Sequence, residues 1–334
     1  MSDLSVLKQL LRHDPAASAL LDHVALPDAL AAQAGPVASR AQIAIAMNMQ
    51  LLSGLLERVP TGRAYIDDKI ARGEKLMFDH GALRTVALAG MGDLPAGETA
   101  ITRILLPLGY SCTNLYPMPR LKMTGRSYTQ QDWPADLPQF FVSELHPEHF
   151  SPAFQAAVRR VTATSRDPLD AQDHASLETL TKTHALPIAQ AIALLPKLVA
   201  CFSCRHDAAH AEDYAILLAE SAEMAWIATE GNAFNHATDR VGDLEAVVEA
   251  QNQKQRRVKD RIEVSKSGRV RQTAFHADPV QRWFHDGIGN RFEKTVPGSF
   301  FEFIQRANLP DSQELDLAFD TNNAQAIFKM TAAS

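Results

Sequence analysis

From about Leu4 to Ala71 the chain is rich in Ala and Leu at helical spacing. The stretch Ser39 to Leu56 shows the pattern best. Ser39 stands where an N-cap belongs, and Met47, Met49, Leu51, Leu52, Leu55 and Leu56 follow on one side. That spacing predicts a helix whose apolar stripe faces the core. The texture changes at Lys75. Met77 to Leu88 reads as a strand, Leu94-Pro95-Ala96-Gly97 as a turn, and Glu98 to Leu108 as a short helix. Tyr110 to Cys112, Arg120 to Met123 and Gln139 to Leu145 then read as strands. Strand, helix and three strands make one βαβββ unit.

Ser151 to about Ala228 returns to helical spacing, including Asp207 to Ala228. The most apolar run, Leu186 to Phe202, is short for a membrane span and contains Pro187, Pro196 and Lys197, so it predicts a buried helix. Strand texture reappears at Ala233. A helix over Asp243 to Gln253 follows, with strands near Arg261 to Val264, Val270 to Phe275 and Ser299 to Arg306. The second series repeats the order of the first, as a duplicated module does. The expected fold is α+β: two βαβββ modules around a central metal cavity, with N-terminal and inserted helical segments. Its boundaries are a helical segment at 1–72, the first module at 73–150, a helical insertion at 151–230, and the second module with a C-terminal tail at 231–334, all packed as one compact unit.

Each module opens on the same short motif. Phe78-Asp79-His80-Gly81-Ala82-Leu83-Arg84 and Phe234-Asn235-His236-Ala237-Thr238-Asp239-Arg240 both run aromatic, Asp or Asn, His, three residues, Arg, and lie 156 residues apart. Phe300-Phe301-Glu302-Phe303-Ile304-Gln305-Arg306 sets one carboxylate in an otherwise apolar run. Side chains alternate along a strand, so His80 shares a face with Arg84, and His236 with Arg240. If the modules curl around one cavity, the two His converge and Glu302 completes a set of three metal ligands. Two His and one carboxylate hold iron while leaving positions for substrate and oxygen. Taken singly, each of these residues is more often structural, and the chain has 12 His. A repeat with a matching carboxylate favours the metal. Asp79 and Asn235 fall on the opposite face by alternation, so the group that orients each ligating ring is expected elsewhere. Arg84 offers a planar two-pronged donor, and is the expected catalytic and substrate-binding residue, gripping the acid end of a substrate. For Arg240 a structural ion pair with Asp239 or Asp243 is the favoured reading. Gln272 is a candidate substrate contact, with an ordinary strand Gln an equal alternative.

Composition narrows the partners. With 334 residues and 46% hydrophobic, a substantial core needs no staples. A net charge of -6 argues against nucleic acid, and the basic run Lys254 to Arg261 also contains Gln and Asp, as a solvated face does. Met1 to Asp14 lacks the apolar core of a signal peptide. Three cysteines make no disulfide framework, which points to a reducing cytoplasm. Cys201 and Cys204, with His206 close by, read as two buried or partly buried thiols. His146 and His149 fall in a surface loop, and His276 and Asp278 at the pocket rim. Phosphate loops, nucleophile elbows and dinucleotide turns are missing from the sequence. Neither nucleic acid nor membrane is an expected partner, and the oligomeric state stays open.

The ordered motifs resemble the vicinal oxygen chelate (glyoxalase-like) superfamily, whose paired βαβββ modules bind one metal. Phe300 to Arg306 resembles the last ligand strand of 4-hydroxyphenylpyruvate dioxygenase. Asp79-His80 with Arg84, Asn235-His236, Phe301-Glu302, Phe141 to Leu145 and Arg271 to Ala274 resemble more closely the 2-oxoadipate dioxygenase/decarboxylase family, over about Gly73 to Arg306. The resemblance implies Fe(II), with other divalent metals able to stand in, held by His80, His236 and Glu302, and Arg84 on the substrate. It implies a 2-oxo acid and O2 as reactants, with 2-oxoadipate giving 2-hydroxyglutarate and CO2. Some members close the pocket with a longer C-terminal extension; the stretch after Glu302 is short here, which leaves the exact 2-oxo acid open. A glyoxalase-type lyase or isomerase using Zn, Ni or Mn is the alternative, and a non-enzymatic binding protein is a third. Glyoxalase-type sites commonly add a fourth protein ligand. Three ligands leave room for a chelating substrate and oxygen, and so favour the oxygenase.

Overall fold

Ser39 begins the longest helix with a reciprocal cap. Its hydroxyl accepts from the Gln42 amide at 3.3 Å, and the Gln42 side chain accepts from the Ser39 amide at 3.0 Å. The helix it starts, Arg40–Arg58, is buried along most of its length and packs against the helices Ser5–Leu10, Pro15–Leu21 and Ile188–Ala200. Burial thus extends beyond the one-sided stripe that the spacing predicts, taking in Gln42, Asn48 and Ser53 as well, because helices cover it on several sides. The next helix, Pro60–Ala71, crosses the back of the Phe300–Arg306 strand. Gly62 allows this approach, since a Cβ there would sit 3.0 Å from that of Phe301. The computed structural model describes residues 4–320; the end of the expected 231–334 segment, beyond residue 320, lies outside the described residues.

These helices support a curled eight-stranded sheet. Its order is Tyr110–Met118, Met123–Gln130, Gln139–Leu145, Phe78–Val86, His236–Arg240, Phe300–Arg306, Val270–Ala274 and Glu263–Val264. The two strands that open the modules pair antiparallel at the centre, with Ala82 opposite His236 and His80 opposite Thr238. Each is flanked by the last strand of its own module running parallel to it. Parallel neighbours need a crossover, and the helices Thr99–Leu105 and Leu244–Gln253 lie in those connections. The centre of the sheet is therefore where the two copies meet.

Three expectations need correction. Arg120 to Met123 is not a strand: Pro119–Leu121 forms a 3-10 turn and Lys122 takes φ 55°, so the strand starts only at Met123. Asp207 to Ala228 is not one helix. Ser221 breaks it with φ -151° and caps the second of two helices, Ala211–Glu220 and Ala222–Glu230, by accepting from the Met224 amide. The second module also carries a hairpin, Pro279–His285 with Arg291–Pro297, between its third and fourth strands. The charges along it and its mostly exposed faces hide it from an apolar pattern. The apolar run around Leu194 forms the helix Ile188–Ala200, with Pro196 inside it; among the described residues no helix is long and apolar enough to cross a membrane.

Candidate metal centre

The central strands bring His80, His236 and Glu302 together. Glu302 sits opposite Thr238, which sits opposite His80, so three neighbouring strands present one face. The His80 and His236 Nε2 atoms are 3.4 Å apart, and His236 Nε2 lies 3.3 Å from Glu302 Oε2. One ligand atom from each residue lies within 4.8 Å of the others. All three side chains are buried. Phe300 stacks on the His236 ring at 4.8 Å, and Phe319 meets the His80 ring edge-on at the same distance.

Alternation fails at Asp79, and for an identifiable reason. Between Phe78 and His80 the strand advances two residues while its partner advances one, which is a β-bulge. Asp79 is thereby placed with its Oδ1 2.8 Å from His80 Nδ1. The expectation that the orienting group of His80 lies elsewhere is corrected: it is the preceding residue. Thr238 Oγ1 approaches His80 Nε2 at 3.1 Å from the cavity side.

Burial dominates the electrostatics of the cluster. Burial pushes the Glu302 carboxyl well above the usual carboxylate range; Glu263 adds to this, and Lys259 opposes it. Burial likewise drives His236 well below the ordinary imidazole range, helped by the charge of His80 and Arg84. His80 is lowered by burial against the pull of Asp79. Burial would raise Asp79, but the charge of Arg306 and hydrogen bonds from His80 and Arg306 outweigh it and hold Asp79 far below its usual value. Among the described residues neither Glu302 oxygen has a hydrogen-bond partner. An ionised carboxylate in such a place is costly unless it is paired or binds a metal. Two imidazole nitrogens converge with a carboxylate whose oxygens have no hydrogen-bond partner among the described residues, a donor set that suits a divalent transition metal.

Arg84 lies two rungs along the same face from His80 by register, opposite Ser143. It is fully buried, with its guanidinium over the Trp226 ring at 4.9 Å. Burial lowers its pKa to about 10, with Glu223 acting in the other direction. Gln272 is buried on the Val270–Ala274 strand, opposite Ile304, and so shares the face of Glu302. Arg240 has a structural contact, but not the expected one. Its Nη2 donates to the Ala135 carbonyl at 2.7 Å, and its Nε stands 3.7 Å from Asp79, while Asp239 is taken by Tyr65 and Lys69.

The remaining candidates lie outside the cluster. His146 bonds Thr124, and His149 ends an exposed 3-10 turn. Asp278 accepts from the amide and hydroxyl of Thr61. Cys201 is buried and Cys204 half-buried, the latter 3.5 Å from His206 Nε2. Sequence reasoning missed Asp79, Thr238, Arg306, Trp226 and Phe319 as neighbours of the site. Only Asp79 carried a signal, its place beside His80, and strand alternation argued against it.

The profile of the 2-oxoadipate dioxygenase/decarboxylase family matches residues 42–327. The chain is 24% identical over 308 residues to the chloroplastic/amyloplastic 2-oxoadipate dioxygenase/decarboxylase of Oryza sativa subsp. japonica, covering 83% of this chain and 75% of the relative. A glyoxalase superfamily protein from Ralstonia eutropha JMP134 has 51% identity and a TM-score of 0.90, over 94% of this chain and 98% of that one. The hydroxyglutarate synthase of Oryza sativa, solved with 2-oxoadipate, shares the fold at 19% identity and a TM-score of 0.67, over 90% of this chain and 96% of that one. Two βαβββ-like halves and a profile match over most of the length agree: the chain belongs to the 2-oxoadipate dioxygenase/decarboxylase family.

Proposed function

We propose that this protein is an Fe(II)-dependent dioxygenase that decarboxylates a 2-oxo acid, 2-oxoadipate first among them, to 2-hydroxyglutarate and CO2. The observation that carries the reading is the buried His80, His236 and Glu302 cluster, with both Glu302 oxygens lacking donors among the described residues. The rice relatives named for this substrate support it. When bound, iron would supply Lewis acidity and redox chemistry toward O2. His80, His236 and Glu302 would hold it from one side and leave its other side open to the substrate. Arg84, already stacked on Trp226, would take a substrate carboxylate as a preoriented two-pronged donor. Phe300 and Phe319 flank the histidines and would keep bulk water from the reacting groups. The atoms balance: one 2-oxoadipate and one O2 give one 2-hydroxyglutarate and one CO2. No separate acid or base is required of the chain. Free thiols accord with a reducing compartment, and we place the protein in the cytoplasm.

The test is oxygen uptake by anaerobically Fe(II)-loaded protein across a panel of 2-oxo acids. Uptake with 2-oxoadipate, matched by CO2 and 2-hydroxyglutarate, is expected. Uptake with another acid replaces the substrate. Bound metal without uptake on any of them overturns the oxygenase reading in favour of glyoxalase-type chemistry. Arg84→Ala is expected to raise KM while iron content holds; unchanged KM and kcat would refute its role.

A further inference from the structure

The duplicated motif diverges at the residue before each histidine: Asp79 in one copy, Asn235 in the other. In the first copy the bulge brings the Asp79 carboxylate to His80 Nδ1. In the second, Asn235 Oδ1 and His236 Nδ1 both lack hydrogen-bond partners among the described residues. The difference continues outward. Arg306 grips Asp79 with Nε on Oδ2 at 2.9 Å and Nη2 on Oδ1 at 2.8 Å, while its Nη1 donates to the carbonyls of Asp316 and Ala318. Arg306 follows Glu302 by four residues on one strand, so a single strand carries both the carboxylate of the cluster and the anchor of Asp79.

We propose that Asp79, held by Arg306, is the positioning residue of this metal centre: it fixes the His80 proton on Nδ1 and aims Nε2 into the cavity, a service His236 receives from none of the described residues. The inference rests on the metal reading of the cluster. A carboxylate on the far nitrogen of a ligating histidine sets its tautomer and raises the basicity of the other nitrogen. Arg306 holds that carboxylate in a fixed direction, since it offers two parallel donors rather than a point charge. The buried pair is thus accounted for by placement of a ligand, where stability alone accounts for it poorly.

The experiment is Co(II) titration by calorimetry on the full chain, with Co(II) standing in for iron. Asp79→Asn is expected to weaken Co(II) binding by about 10- to 100-fold, the range typical for loss of a ligand-orienting carboxylate. Asn235→Ala is expected to bind as the wild type does. The double variant Asp79→Asn/Arg306→Gln removes the closely paired charges together and leaves Arg240, 3.7 Å from Asp79, its bond to the Ala135 carbonyl, so it serves should the single variant misfold, and it is expected to bind Co(II) as weakly. In the metal-free wild type, long-range 15N–1H spectra should find His80 in the Nδ1–H form. Wild-type affinity in Asp79→Asn or in the folded double variant, or an Nε2–H tautomer at His80, would overturn the proposal while leaving the metal reading intact. Failure of the wild type itself to bind Co(II) would overturn both.

Discussion

Glu302→Gln should make the metal-free protein more stable while removing its response to metal. Glu302 is 1% exposed, and neither oxygen meets a donor among the described residues. Its carboxyl is held well above the usual range, chiefly by burial. Folding without metal therefore either strands a charge or takes up a proton. An unsatisfied buried polar group costs about 1–3 kcal/mol, more when charged. A neutral amide of the same shape removes the charged part of that cost, so a gain of about 1–3 kcal/mol is expected in EDTA at pH 8. For a chain of this size that is a rise of a few degrees in Tm. The sign with pH follows from the raised folded value. Below about pH 4.3, the unfolded value for Glu, both states are protonated and wild type and variant should melt alike. As pH climbs from there through the folded pKa, the wild type should fall progressively behind. Metal reverses the order: at 100 times its Kd a bound ion adds about 2.7 kcal/mol to the wild type, and Glu302→Gln should gain little. The assay is thermal melting of both proteins from pH 4 to 8, in EDTA and in Co(II). Should Glu302→Gln melt below the wild type in EDTA at pH 8, Glu302 has an internal partner and the account of an unserved carboxylate is wrong.

Two further substitutions probe the frame around the site. Lys69→Met removes the cation from buried Asp239, leaving it, among the described residues, the Tyr65 hydroxyl and the Met77 amide; breaking a buried pair on one side costs about 3–5 kcal/mol, to be read from urea denaturation, and a loss under about 1 kcal/mol would refute the pairing. Gly81→Ala would set a Cβ 2.3 Å from the Phe234 ring, directly beside His80; it should cost about 1–3 kcal/mol by overpacking and weaken Co(II) binding through displacement of His80, whereas wild-type stability would show that the ring moves freely.

Periodicity made the sheet legible because the modules repeat it. The strand at His80, the helix over Asp243 to Gln253 and the strand at Glu302 each announce themselves by an apolar pattern that burial on the sheet demands. What periodicity cannot carry is a place where the chain needs one residue more or less. Ser221 splits a helix through its hydroxyl, not through any lapse in apolar spacing. The hairpin at Pro279–Pro297 buries few apolar side chains, among them Phe284 and Val296, so nothing in its pattern distinguishes it from a loop.

The bulge at Asp79 is the case with chemical consequences. Alternation assigns residues to faces on the premise that two paired strands advance together, and between Phe78 and His80 they do not. One extra residue reverses the assignment of Asp79 and leaves that of His80 and Arg84 intact, because both lie beyond it. The cluster of His80, His236 and Glu302 could therefore be read from spacing alone, while the carboxylate that serves His80 could not. Duplication adds a further reason. Two copies of one motif suggest equal roles for Asp79 and Asn235, yet only Asp79 meets an arginine from the Glu302 strand, and that contact joins residues 227 apart in the chain. Ligands in a repeated module are visible as the repeat itself; the groups that tune them appear where the copies differ, and reading those differences requires knowing which strand lies beside which.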